Sequence, residues 1–175
     1  MSETGFGPEF ASAFRELMLD ALGREAEVTA RVLAAVPDDR RDYRPAPGSR
    51  SAAELAWHVA ADVWFLEGIA RRRFEINPDQ THANPTQSSA ELAAWYTARF
   101  KSALESIRAV PVEQLVAPLT IGGVAEQSGQ AFPAFVYLLG AHTHTVHHRG
   151  QLSAYLRPMG ARVPGIYGPS GDEPA

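Results

Sequence analysis

Apolar residues recur at three- and four-residue intervals along most of the chain, and the pattern breaks where glycine and proline cluster. Four windows, 9–36, 50–74, 88–110 and 131–157, carry the helical period. Together they hold only five of the glycines and prolines, namely Gly23, Gly68, Gly140, Gly150 and Pro133. Both residue types disfavour helix interiors, so this partition predicts four long helices joined by loops. In the first window Phe10, Phe14, Leu17, Ala21, Val28 and Val32 share one face, the stripe expected to point into a core.

The ends of the windows carry matching signals. Pro8 suits a first helical position and Pro37 stops the helix before it. Ser51-Ala52-Ala53-Glu54 and Ser88-Ser89-Ala90-Glu91 both fit the capping box, in which Ser and Glu satisfy each other's free backbone N–H groups. Pro158 and Gly160 close the last helix. Four amphipathic helices predict an all-α fold, a four-helix bundle within a single domain, residues 1–175. The links 37–49, 75–87 and 111–130 exceed the usual ~2–8 residues between antiparallel neighbours, so at least one is expected to cross the bundle. The last of them, with Gly122, Gly123 and Gly129, is expected to form a small irregular hairpin. Residues 1–7 and 168–175 are expected to be mobile tails.

Composition narrows the chemistry. With 45% hydrophobic and 21% charged residues, a chain of 175 buries a full core without metal or disulfide staples, so a metal here serves function before folding. A net charge of −4 argues against nucleic acid as a partner. The lack of cysteine excludes disulfides, thiolate metal sites and a cysteine nucleophile. The opening residues lack the basic-then-apolar pattern of a signal peptide, and no apolar run approaches the ~18 residues of a membrane span. A cytoplasmic protein with no membrane partner is therefore expected. Arg71-Arg72-Arg73 reads as cations at a helix C-terminus, and the paired glycines fit no phosphate-loop pattern.

The histidines are the informative feature. His142, His144, His147 and His148 lie within seven residues of one another. A helix turns by ~100° per residue, so His144 and His148 sit one above the other, the spacing with which two imidazoles share one metal ion. His142 points away from that stripe and His147 lies at its border. His58 is the only histidine in the other three windows, on a face with Leu55, Ala61, Asp62, Phe65 and Ile69 that should point inward. Three imidazoles with one open position describe a catalytic rather than a structural site.

From Tyr43 to Gly168 the chain resembles the DinB-like family, also called the DinB/YfiT-like metalloenzymes. The stretch from Tyr43 to Ala60, a Pro-containing approach to a capped helix with Trp57-His58 near its end, carries part of the likeness. His144-Thr145-Val146-His147-His148-Arg149-Gly150-Gln151-Leu152, followed by Tyr155-Leu156-Arg157-Pro158-Met159-Gly160 and Pro164, carries the rest. The resemblance implies a bundle with up-down-down-up topology. It implies a divalent metal, zinc or nickel, held by His58, His144 and His148, and a homodimer acting on a small-molecule substrate. Relatives include transferases and isomerases that use a low-molecular-weight thiol such as bacillithiol or mycothiol.

A metal on three neutral imidazoles keeps its full double charge and can acidify a bound water or thiol. Thiol transfer to a small electrophile is the first expectation. Hydrolysis at the same site and a non-catalytic, dimeric stress-related binding protein are the alternatives. Asp62, one turn after His58, is expected either to accept an imidazole N–H or to act as a base. Gln151 is expected to bond the metal-bound group, and Arg149 to pair with a carboxylate or backbone carbonyls. Gly150 is read as permitting close helix packing, and Tyr137 and Tyr155 as pocket lining or core.

Overall fold

The computed structural model describes residues 6–74, 86, 88–121 and 131–173. Six α-helices occur in chain order among them: α1 (Pro8–Ala34), α2 (Ala52–Ala60), α3 (Asp62–Arg71), α4 (Ser89–Arg108), α5 (Val112–Val116) and α6 (Val136–Leu156). Two short strands, β1 (Pro118–Thr120) and β2 (Ala131–Pro133), pair antiparallel between α5 and α6. The four expected helices are present. The second is divided in two, and α2 and α3 run on from one another as one interrupted rod.

Helix α2 begins where its sequence says. Ser51 Oγ accepts from Glu54 N at 3.1 Å and Glu54 accepts the Ser51 N–H at 2.7 Å, so the capping box is complete. Two further first-turn amides, of Ala52 and Ala53, donate to the carbonyls of Tyr43 and Arg41 at 2.9 and 2.8 Å. The 37–49 link thus folds back to cap the helix it leads into. At Ala61 the backbone steps through ψ −11°, and Trp64 N turns to the Ala61 carbonyl at 3.0 Å. The second window is therefore not one continuous helix, and Asp62 opens a new one. Arg72, in left-handed conformation, ends α3 and donates to the carbonyls of Gln114 and Pro118.

Helix α1 packs against α4 and α6, α3 packs against α4 and α6, and α2 packs mainly against α6. First and second rods therefore lie across the bundle from each other, and the 37–49 link crosses it. The core is built from Leu19, Leu22, Val32 and Leu33 of α1, Leu55, Trp57, Val59, Val63, Leu66 and Ile69 of the second rod, Tyr96, Phe100 and Ile107 of α4, and Leu138, Leu152 and Leu156 of α6. Trp57, Trp64 and Trp95 form a ring cluster with centroids 5.1–6.0 Å apart, joining the second rod to α4.

Four expectations need correction. The inward face of α1 is only in part the stripe from Phe10 to Val32: Val32 is buried, but Phe10 is 44% and Leu17 61% exposed, and Ala11, Met18, Leu22, Glu25, Thr29 and Leu33 are buried with Val32. Phe6, Phe10, Phe14 and Phe135 stack among themselves at one end of the bundle, which holds that aromatic stripe outward. The fourth window opens as strand rather than helix, because Pro133 has no amide proton and the amides of Ala134 and Phe135 donate to Ala117 and Leu115. Residues 168–173 are bonded to the body: Asp172 accepts from Arg157 Nε and Val163 N, and Glu173 from Gly165 N. The hairpin expected within 111–130 is not what pairs: β1 meets β2 beyond that link, with Leu119 opposite Phe132, and Val112–Val116 of the link is helix. Gly122, Gly123 and Gly129, most of the 75–87 link, and residues 1–5 and 174–175 of the tails lie outside the described residues.

Candidate metal centre

His58 stands in the last turn of α2, and His144 and His148 one turn apart on α6, so the α2–α6 contact brings the three rings together. Their centroids lie 5.0 Å (His58–His144), 4.4 Å (His58–His148) and 4.4 Å (His144–His148) apart. One nitrogen of each lies within 4.8 Å of the other two. The three histidines chosen from spacing and resemblance form this group.

The hydrogen bonds decide which nitrogens are free. His144 Nδ1 lies 2.9 Å from Asp62 Oδ1 and 3.1 Å from Oδ2, and the Thr145 hydroxyl donates to Oδ2 at 2.8 Å. His148 Nδ1 lies 2.8 Å from Gln151 Oε1. A carboxylate and an amide oxygen can only accept, so both Nδ1 atoms carry the proton and both Nε2 atoms keep a lone pair. His58 Nε2 is buried with no hydrogen-bond partner among the described residues. An orphaned buried polar atom costs free energy unless something meets it, and it belongs to a ring whose centroid lies 5.0 and 4.4 Å from those of two more imidazoles. The donor set fits a divalent ion: three neutral nitrogens, two of them oriented by second partners.

Electrostatics separate the three rings. Burial, then the positive charge of Arg50 and the other two rings, push His58 down to about 4, so it stays neutral at ordinary pH. The bond to Asp62 raises His144 against the opposing effect of burial. Burial lowers His148, opposed by Gln151. Asp62 therefore does accept an imidazole N–H, but from His144 across the helix contact and not from His58 on its own rod. Gln151 orients His148.

The remaining candidates lie elsewhere. His142 is on the back of α6, its Nε2 3.9 Å from Glu25 Oε1, and His147 is exposed beside His148. Arg149 is 1% exposed and forms a buried ion pair with Glu25, and its Nη2 donates to the Tyr167 hydroxyl at 2.8 Å. Tyr167 in turn donates to Glu25 at 3.0 Å. The expectation for Arg149 is met; Glu25 and Tyr167 were not foreseen, although an acid on an apolar face was a signal. Gly150 is exposed, and a Cβ there would meet nothing within 4 Å, so it makes no close packing. Tyr137 is core, its hydroxyl donating to Leu119 O at 2.8 Å. Tyr155 packs edge-on against Tyr43, its hydroxyl 3.4 Å from Arg50 O.

A helical bundle whose second rod and last helix converge on a three-histidine group able to hold a metal is the class this chain defines. The chain belongs to the DinB family, whose sequence profile matches residues 1–175. It is similar to the uncharacterized protein YrdA of Bacillus subtilis, 25% identical over 149 residues and 85% of each chain. It is also similar to the uncharacterized protein YjoA of the same organism, 27% identical over 134 residues, covering 76% of this chain and 82% of that one. Among solved structures, a DinB-like protein from Bacillus cereus superposes with a TM-score of 0.71 at 23% identity, covering 87% of this chain and 97% of that one. YjoA superposes at 0.67 and 23% identity, over 87% and 99%. These structural likenesses support the fold.

Proposed function

We propose that the protein is a divalent-metal-dependent enzyme, using zinc or nickel on His58, His144 and His148 to transfer a low-molecular-weight thiol to a small electrophile. The observation that carries the metal is the convergence of one nitrogen each of His58, His144 and His148 within 4.8 Å, with His58 Nε2 buried and without a hydrogen-bond partner among the described residues. An ion held there would supply positive charge and an open coordination position that acidifies a thiol or a water. The chain supplies the rest. Asp62 and Gln151 fix the tautomers of His144 and His148, and burial keeps His58 unprotonated. The lack of cysteine suits an enzyme that borrows its sulfur nucleophile from a small molecule. The same reading takes the protein to be cytoplasmic and homodimeric. Phe6 and Phe10, exposed at one end of α1, support an interface between copies.

The test begins with metal content per chain, by mass spectrometry, on untagged wild type and on His148→Ala. About one metal per chain, lost in the variant, is expected. Conjugation of an aryl halide that depends on added bacillithiol or mycothiol is then expected of the loaded protein. Thiol-independent ester or amide cleavage would replace transfer with hydrolysis. Metal that changes stability while neither substrate class turns over would leave a binding protein, and metal unaltered in the variant would mean other ligands.

A further inference from the structure

Thr145 puts a hydroxyl where the fold calls for an apolar side chain. It lies on the inward face of α6 in line with Leu138, Ala141 and Leu152, all buried, and is itself 1% exposed. A valine of the same shape would fill that place with no polar atom to satisfy. What the hydroxyl does there is donate to Asp62 Oδ2 at 2.8 Å. The acid is buried too and opens α3, where a carboxylate is drawn towards the free amides of its own helix's first turn. Its oxygens are turned across to α6, Oδ1 2.9 Å and Oδ2 3.1 Å from His144 Nδ1.

A carboxylate swings readily about its last bond, so the contact with His144 alone leaves its plane free. A second donor, on Oδ2, fixes that plane. The acid in turn keeps the proton of His144 on Nδ1. A neutral imidazole without a fixed partner shares its proton between both nitrogens, and an ion binds only the one with a free lone pair. Which nitrogen His144 offers is therefore set at one remove, by a hydroxyl that bonds the acid and not the ring.

Resting on the metal-enzyme reading above, we infer that Thr145 is a positioning residue of the three-histidine site, its hydroxyl keeping the Asp62 carboxylate turned to His144 so that the ring offers Nε2 to the ion. It acts only through Asp62. A valine in its place would fold as well and hold metal less tightly.

Zinc affinity, by competition with a chelator, is compared between wild type, Thr145→Val, Thr145→Ser, Asp62→Ala, and Asp62→Ala with Thr145→Val. Thr145→Val is expected to weaken binding about tenfold at unchanged helix content, the lower end of what losing an outer partner costs a metal ligand. Thr145→Ser keeps the hydroxyl and is expected to bind as wild type does. In the Asp62→Ala background the valine is expected to cost nothing more, since no carboxylate remains to be held. A second readout uses metal-free protein in mildly alkaline buffer. Nitrogen NMR shifts of the His144 ring are expected to place the proton on Nδ1 in wild type and to share it between the nitrogens in Thr145→Val. Wild-type affinity in Thr145→Val, a serine variant as weak as the valine one, or an equal further loss without Asp62 would overturn the inference. Should wild type hold no metal, the metal reading fails by itself and the ring decides. A proton that moves in Thr145→Val then keeps Thr145 in its role, and one that stays on Nδ1 overturns it.

Discussion

His144 and Asp62 face each other across the α3–α6 contact, the ring Nδ1 lying 2.9 Å from one carboxylate oxygen and 3.1 Å from the other. Because the same acid also takes the Thr145 hydroxyl, it fixes two successive residues of α6. The break at Ala61 makes this reach possible by starting a new helix with the acid at its first position.

Replacing that acid by its amide tests how far orientation and charge matter. Asp62→Asn keeps the shape but loses the charge that holds the Nδ1 proton. Metal affinity, measured by competition with a chelator, is expected to fall by about 10–100-fold with helix content retained. Unchanged affinity would make Asp62 a packing residue only.

Acid stability should trace in part to Glu54. The Arg44 bond first, and then the Ser51 amide, draw its carboxyl from an ordinary 4.5 down to about 2. A depressed carboxylate stabilises the fold above its unfolded value, and that contribution is lost as pH falls from about 4.5 towards about 2. Glu54→Gln is therefore expected to be less stable near neutrality and to lose less on acidification over that window, as read from melting temperature against pH. Parallel curves for the two proteins would remove Glu54 from the account.

The buried Glu25–Arg149 pair predicts an asymmetry between single and double changes. Arg149→Met leaves Glu25 without its cation in the interior and is expected to cost about 3–5 kcal/mol in urea unfolding. Removing both charges, Glu25→Met with Arg149→Met, is expected to cost clearly less than the single change. A double variant as unstable as the sum of the singles would mean that the two do not act as a pair.

Two glycines should respond with opposite signs. A Cβ on Gly68 would lie 2.5 and 2.8 Å from the Phe74 ring, so Gly68→Ala is expected to destabilise by about 1–3 kcal/mol. Gly150 has open space and sits mid-helix, so Gly150→Ala is expected to stabilise by about 0.5–1 kcal/mol. Denaturant midpoints of the two variants check both signs.

Much of this architecture is written in local signals. The Ser51 box, the glycine and proline placement, and the His144–His148 spacing all act within one turn or one element, and each appears where the sequence puts it. What escaped depends on pairing between distant elements. The rotation of α1 is set by a polar residue, Glu25, buried to meet Arg149, and no hydrophobic count assigns a carboxylate to a core. Asp62 was recognisable as a histidine partner but not as the partner of His144, because the choice between rings is made by helix packing. The start of α6 was hidden because Pro133 and its neighbours look helical until β1 pairs with them.

The Tyr167 hydroxyl lies against both Glu25 and Arg149, while its ring, stacked over the guanidinium at 5.2 Å, remains largely open to water. The Tyr167 side chain therefore acts as a stopper over the charge pair that sits behind the ligand-bearing helix. Losing that side chain would let water reach the Glu25–Arg149 pair and His142 on the back of α6, with His58, His144 and His148 left in place on the other side.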